Sequence, residues 1–377
     1  MNLRIVLLLF GLASLQACAP AEAPEASTAY QIHGTVQNPD VEGQVILATF
    51  DPVTQVKTPL DTAEISETGE YTLSFEWTQP DLFRVAFGNQ NVMLAIDEGQ
   101  NDITLHIEGA KNGTVEIIGS PDSEKLQGYE AFRQESNTRL IKPPYDRMRA
   151  ATKAGDTQTE IDAVLEYSQN SKEHRRELIE YTEQNIGTSI ALYGTVLRWT
   201  GDDQVDKLDA LVNAFAAAHP DLAMTKVMQE KLNRYRQVAV GVKAPEIKQP
   251  NQHGEMVSLY ENKGTYTLID FWASWCGPCL LQVPDLKEAQ AAYGEKGFQI
   301  FSVSADTKEK KWKEAIVEYD LDWPNVSDLE GWNSEAAKAY NVTFLPFNLL
   351  IDSEGTIIDK NLHSKALQSK LAELLGE

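Results

Sequence analysis

Cys276 and Cys279 are the residues of this 377-residue chain whose type and spacing most directly permit chemistry. A dithiol at that spacing can close into a disulfide and reopen, so it can carry two electrons. Leu268 to Trp272 is an apolar, aromatic run interrupted only by Asp270, and it reads as a buried strand. From Leu280 onward, Val283, Leu286 and Ala289 keep helical spacing. The first cysteine therefore falls at a helix start, where unpaired N–H groups and the helix dipole stabilise a thiolate. Cys276 is accordingly expected to be the exposed, low-pKa thiol and Cys279 the shielded partner one turn inside. The same pair could form half of a zinc site. The only other cysteine is Cys18, however, and no histidine cluster completes four ligands. No metal and no cofactor beyond the cysteine pair itself is expected.

Phe271-Trp272-Ala273-Ser274-Trp275-Cys276-Gly277-Pro278-Cys279 resembles the active-site signature of thioredoxins, with Pro284 at the place of the proline that kinks their active-site helix. Tyr340 to Pro346, followed by Leu349 to Gly355, resembles their cis-proline loop, next strand and turn. The closer likeness is to the TlpA/ResA-like branch, membrane-tethered thioredoxins of the bacterial envelope. It is carried by Gly241 to Leu259 and by Trp323 to Asp328, and it covers roughly the last third of the chain. The resemblance implies a thioredoxin-like α/β fold and thiol–disulfide exchange with partner proteins. Cys276 would be the attacking thiol, Cys279 the resolving one, Asp270 the buried carboxylate that takes its proton, and Pro346 a cis proline against which substrate lies. It further implies that Trp275, Gly277, Pro278 and Leu345 bind substrate. After Pro346 the family usually has small or hydroxylated residues, whereas here Phe347 and Asn348 follow, which bears on the shape of the groove.

Within residues 239–377 the pattern reads strand, helix, strand, helix, strand, strand, helix. Asp306 and Asp328 fall in loops after strands and read as turn residues. Residues 30–119 are short, partly alternating runs separated by turn residues, as in an antiparallel, all-β sandwich-like domain. His33 and His106 read there as strand residues. This part resembles the β-rich domain that often precedes thioredoxin modules in Bacteroidetes lipoproteins. Residues 120–238 read as a helical region beginning at Ser120-Pro121-Asp122, with Lys142-Pro143-Pro144 breaking its first helix.

Residues 1–17 carry Arg4 and an apolar run from Ile5 to Leu12, too short to span a bilayer and suited to a signal-peptide core. Leu15-Gln16-Ala17-Cys18 resembles a lipobox, with Cys18 lipidated and residues 18–29 serving as an Ala/Pro/Glu tether. Ala19, in place of an aspartate, favours an outer-membrane anchor facing the periplasm. The net charge of −23 argues against nucleic acid as a partner.

The expected function is thus a cell-envelope thiol–disulfide oxidoreductase acting on protein disulfides or dithiols, with Gly277-Pro278 leaning towards a reductant. A transmembrane reductant shuttle is a candidate partner alongside the protein substrates. Two other functions compete: a thiol peroxidase of the peroxiredoxin type, and a non-catalytic binding lipoprotein with an accessory redox domain.

Overall fold

The computed structural model describes residues 28–37, 43–50, 56–108, 113–199 and 204–376. The expected signal peptide, Cys18 and the tether up to residue 27 lie outside the described residues. The last two residues of the expected tether, Thr28 and Ala29, already belong to the first strand.

Two four-stranded sheets make up the N-terminal part. One has the order β4-β1-β7-β8, from Glu70–Trp77, Thr28–Gln37, Asp102–Glu108 and Val115–Ile118. The other has the order β3-β2-β5-β6, from Lys57–Glu64, Gln44–Phe50, Asp81–Phe87 and Gln90–Ile96. Alternating residues such as Ile32, Leu73, Leu105, Leu47, Val85 and Leu94 point inward and share one core, as period-2 strands facing each other require. The pairing is not wholly antiparallel, because β1 and β7 run parallel. His33 and His106 are ladder residues. His33 pairs with Thr104 at 3.1 Å and His106 with Thr35 at 2.9 Å.

The helical region comprises α1 (Pro121–Ser136), α2 (Lys142–Ala154), α3 (Thr157–Asn185), α4 (Ala191–Leu197), α5 (Val205–Ala218) and α6 (Ala223–Arg236). Ser120 caps α1 by accepting from the Ser123 N–H. The expected break at Pro143-Pro144 does not occur. A π turn, Asn137–Ile141, joins α1 to α2, with the Lys142 N–H bonded to the Asn137 carbonyl. The two prolines then occupy the first turn of α2, where missing N–H groups cost little. Leu126, Tyr129, Ile179, Val212, Phe215 and Met228 pack with Leu82 and Ala95 of the second sheet, so the helices rest on the sandwich.

After a short hairpin, β9 (Lys248–Pro250) with β10 (Met256–Ser258), comes a five-stranded sheet of order β13-β12-β11-β14-β15. Its strands are Asn325–Val326, Phe298–Ser304, Tyr266–Trp272, Phe347–Asp352 and Ile357–Lys360. β11, β12 and β13 run parallel, and β14 and β15 are antiparallel additions. Helices α7 (Gly277–Leu281), α8 (Val283–Tyr293), α9 (Glu309–Glu318), α10 (Glu335–Ala339) and α11 (Lys365–Leu375) complete this part. Apolar clusters lie on both sheet faces, which is why Leu268 to Trp272 of β11 is apolar except at Asp270. This is the thioredoxin-like fold.

Candidate active site

β11 is buried along nearly its whole length and ends at Trp272, which delivers the following turn to the rim of the sheet. Cys276 caps α7 there. Its sulfur accepts the Cys279 N–H at 3.2 Å, and its carbonyl accepts from Leu280 at 3.1 Å. A sulfur held at a helix N-terminus by a backbone donor is stabilised as the anion once the disulfide opens. Pro278, which has no N–H, fills a first-turn position at no hydrogen-bonding cost. Cys276 and Cys279 form a disulfide, with Cα atoms 5.3 Å apart. Gln282 ends α7 and begins α8, with Pro284 in the first turn of α8, so the active-site helix is interrupted where Pro284 was expected to kink it.

Cys276 was expected to be exposed, but it is not. Both cysteines are 5% exposed. The residues around them explain this. They belong to the same buried apolar cluster as Val283, Leu286 and Trp272, and α3 approaches α7. A carboxylate oxygen of Glu160 lies 3.8 Å from the position of a β-carbon on Gly277. Glu160 is held by the Thr152 hydroxyl at 2.8 Å.

Asp270 is 6% exposed and pairs in register with Ser302 on β12. Burial pushes its carboxyl up to about 7, and the Ser302 hydroxyl, donating at 3.2 Å, pulls back towards the charged form. Trp323 Nε1 donates to the same Ser302 oxygen at 2.8 Å. Ser302 and Trp323 complete a buried polar chain that sequence reading missed. Its one visible signal was a serine in the apolar run of β12.

Asp306 does more than form a turn. It accepts from the Ser274 N–H at 2.8 Å, the Ser274 hydroxyl at 2.6 Å and the Ser304 hydroxyl at 2.8 Å, and so pins the loop that precedes Cys276. The ends of the parallel strands β11 and β12 are level, Trp272 opposite Ser304, which brings the two loops together. Asp328 remains a turn and cap residue, accepting from Glu330 and Glu335 N–H groups at 3.1 Å.

The Leu345–Pro346 bond is cis, as the resemblance implied. Leu345, Pro346 and Pro278 line one cavity of about 480 Å³, while Trp275 stands apart from it, 57% exposed, with its ring 6.1 Å from that of Trp332. Phe347 and Asn348, the departure after Pro346, turn inward. Phe347 packs 6.0 Å from Phe271, and the Asn348 side chain bonds the Leu362 N–H and carbonyl at 2.8 Å each. They leave Phe344 and Leu345 to shape the groove. His363 on the cavity wall was also missed. Burial pushes it down to about 4, helped by the Lys172 charge, and it shares a 3.0 Å hydrogen bond with Gln282.

Residues 239–375 match the Redoxin family, and residues 30–126 match a domain of unknown function, DUF4369. The thiol-disulfide oxidoreductase ResA of Bacillus cereus (strain ATCC 10987 / NRS 248) is 30% identical over 147 residues, which cover 39% of this chain and 83% of that protein. The chain belongs to the TlpA/ResA-like thiol–disulfide oxidoreductases. The thioredoxin-like protein YneN of Bacillus subtilis (strain 168) is 32% identical over 35% of this chain and 78% of its own length. Among solved structures, a thiol-disulfide oxidoreductase from Bacteroides fragilis NCTC 9343 is 37% identical, covering 35% of this chain and 99% of that one, with a TM-score of 0.34. In this TlpA/ResA-like chain the thioredoxin-like part is joined to a β-rich and a helical part that together make up more than half its length.

Proposed function

We propose that this oxidoreductase reduces disulfides of proteins in the cell envelope through Cys276 and Cys279. The observation that carries the reading is the placement of Cys276 as the cap of α7, its sulfur accepting the Cys279 N–H. The Cys276 thiolate attacks one sulfur of a substrate disulfide. The substrate S–S bond breaks, one substrate thiolate leaves and takes up a proton, and a mixed disulfide remains. Cys279 gives its proton to Asp270, whose carboxyl near 7 suits proton exchange at neutral pH. The Cys279 thiolate then attacks the Cys276 sulfur, closing the Cys276–Cys279 disulfide and expelling the second substrate sulfur as a thiolate that takes up a proton from solvent. Substrate gains two electrons and the protein loses two, which a transmembrane reductant shuttle restores. Pro346 and Leu345 present a backbone edge along which the substrate chain lies extended, and Trp275, Gly277 and Pro278 contact it beside the sulfur.

The thiol-reduced full-length protein should reduce insulin disulfides. Equilibration with glutathione should give a potential near the thioredoxin value of about −270 mV. A potential above about −150 mV would overturn the reductant role while leaving the exchange chemistry standing.

The envelope placement rests on Leu15 to Cys18 and the tether behind them. Among the described residues no helix is long and apolar enough to cross a membrane. Lipid on Cys18 would hold the protein at the outer membrane, facing the periplasm, with a β-sandwich-like domain at 30–119, a helical region at 120–238 and the redox domain at 239–377. Cys18→Ser should then move the protein from membrane to soluble envelope fractions. A mutant that still floats with membranes refutes the anchor.

A further inference from the structure

The cavity beside the disulfide has two walls from distant parts of the chain. Pro278, Leu345 and Pro346 form one, and α2, α3 and the π turn between α1 and α2 form the other. The second wall is an arm of two antiparallel helices. At its base Asn170 donates to the Leu140 carbonyl at 2.9 Å, further out the Tyr145 and Tyr167 rings stand 6.4 Å apart, and near the tip the Thr152 hydroxyl holds Glu160 at 2.8 Å. Gly155, at a φ of 71°, turns α2 into α3. The core of the helical region takes Leu178, Ile179 and Ile186 from the far end of α3 and, among the described residues, none from α2. The outer arm is thus held by the pairing of its own helices, and it reaches the dithiol, where a Glu160 carboxylate oxygen lies 3.8 Å from a β-carbon position on Gly277.

Three features say what such an arm does. A substrate sulfur has to meet Cys276 directly, yet both cysteines are only 5% exposed, and the way in beside Pro346 runs between the two walls. The space between them, about 480 Å³, lies within the range of ligand-binding clefts, roughly 300 to 1,000 Å³. It admits a few residues of chain and not the surface of a folded domain. The backbone groups of Thr343, Phe344 and Leu345 make no hydrogen bond among the described residues, so the redox wall offers an edge to an extended chain. Charge does not add to this. Lys172 and Arg175 on one side and Glu160 at the tip bring both signs to the cleft, and Arg175 and Glu160 have partners of their own.

We propose that the α2–α3 arm determines specificity by shape, favouring disulfides carried on flexible, extended chain segments over disulfides set in the surface of a folded domain. This deepens the reductase reading and rests on it. The thioredoxin-like part supplies the sulfur chemistry and the backbone edge. The arm supplies a wall that a flexible segment can thread beside and that a folded surface strikes before its sulfur arrives.

The test uses the reduced full-length protein and a small folded domain with a single cysteine, held as its mixed disulfide with 2-mercaptoethanol. In one substrate that cysteine lies in a flexible Gly/Ser tail, in the other on a surface helix. Each second-order rate is divided by the rate with dithiothreitol, which removes the intrinsic reactivity of the two disulfides. The tail substrate should react about tenfold faster than the helix substrate. A shortened arm, in which Gly-Ser-Gly-Ser replaces residues 145–166, keeps Leu178, Ile179 and Ile186 in the core. It should bring the ratio to about two or below by speeding up the helix substrate. Ser168 lines the cavity from the arm, and Ser168→Trp narrows it without removing a helix. Relative to bis(2-hydroxyethyl) disulfide, that variant should reduce the tail substrate about threefold more slowly. Because each ratio is taken on one preparation, loss of folded protein does not imitate the effect. If the shortened chain does not fold, Ser168→Trp decides. A wild-type ratio near one, a preference that survives shortening of the arm, or an unchanged relative rate in Ser168→Trp overturns the proposal. A ratio that falls only because the tail substrate slows makes the arm a docking surface and likewise overturns exclusion by shape. Failure of the wild-type protein to react even with bis(2-hydroxyethyl) disulfide overturns the dithiol chemistry itself, whereas full reactivity without preference overturns the role of the arm alone.

Discussion

Cys279→Ser should accumulate mixed disulfides with partner proteins in cells, and Cys276→Ser should accumulate almost none. The asymmetry comes from position. Cys276 caps α7 and its sulfur already accepts a backbone N–H, so the thiolate that attacks is stabilised there. Cys279 lies inside the first turn, beyond Pro278, and is bonded to Cys276. With Cys279 replaced by Ser, the attack proceeds but nothing displaces the partner, and the covalent complex persists. With Cys276 replaced, the nucleophile is gone and insulin reduction should fall by at least about a thousandfold. Captured partners, identified after non-reducing electrophoresis, give the substrate set directly. Equal trapping by both mutants, or by neither when both are folded, would remove the dithiol mechanism and bring the peroxidase or binding-lipoprotein readings forward.

The two sulfurs are equally buried, so the expected asymmetry rests on their places in the helix and not on exposure. Nothing near Cys276 in sequence indicates that α3, more than a hundred residues earlier, approaches Gly277. Pairwise packing between distant segments leaves no local periodicity to read. The strand before the motif, by contrast, was legible, because a strand covered on both faces must be apolar throughout. The run of α3 from Thr157 to Asn185 was legible through its apolar stripe, Ile161, Val164, Leu165 and Tyr167, and the structure adds its cap, Asp156. β3 was not. It contains Pro59 and reads as a loop, and it survives as a strand because it lies at a sheet edge, where a lost donor is tolerated. The helix across Pro143 was hidden for a related reason. A proline pair signals a break, but the π turn places both prolines where their missing donors are not needed. At the site, the cysteines and Asp270 were evident from the motif. The roles of Ser302, Trp323, Asp306 and His363 depend on strand register and loop neighbours, which one sequence does not display.

Asp270→Asn should stabilise the C-terminal part at pH 8 and slow the release of substrate. The wild-type carboxyl is buried, and its affinity for a proton is raised to about 7 from an ordinary value of 3.8. The folded state therefore holds a proton that the unfolded chain gives up near pH 4. Stability is fully present below about pH 4 and declines as pH rises to about 7, above which the ionised carboxylate remains buried at a constant cost. A difference of roughly three pH units corresponds to about 4 kcal/mol, of which relaxation around the charge recovers a part. Asparagine keeps the shape and carries no charge, so its advantage should be largest at pH 8 and absent at pH 4. Hydrogen exchange on β11 and β12 reads this in the relevant part of the chain. The catalytic effect has the opposite sign. Attack by Cys276 should proceed nearly as in wild type, while Cys279, without its proton acceptor, should resolve the mixed disulfide slowly. Wild-type resolution should speed up through about pH 7, and that rise should be missing in Asp270→Asn. Ser302→Ala removes the hydroxyl that favours the charged carboxylate, and it should move the rise to higher pH. A stability gain that is equal at pH 4 and pH 8 would show that Asp270 is not the group whose burial sets this balance. An unchanged pH profile for resolution would assign the proton of Cys279 to another acceptor.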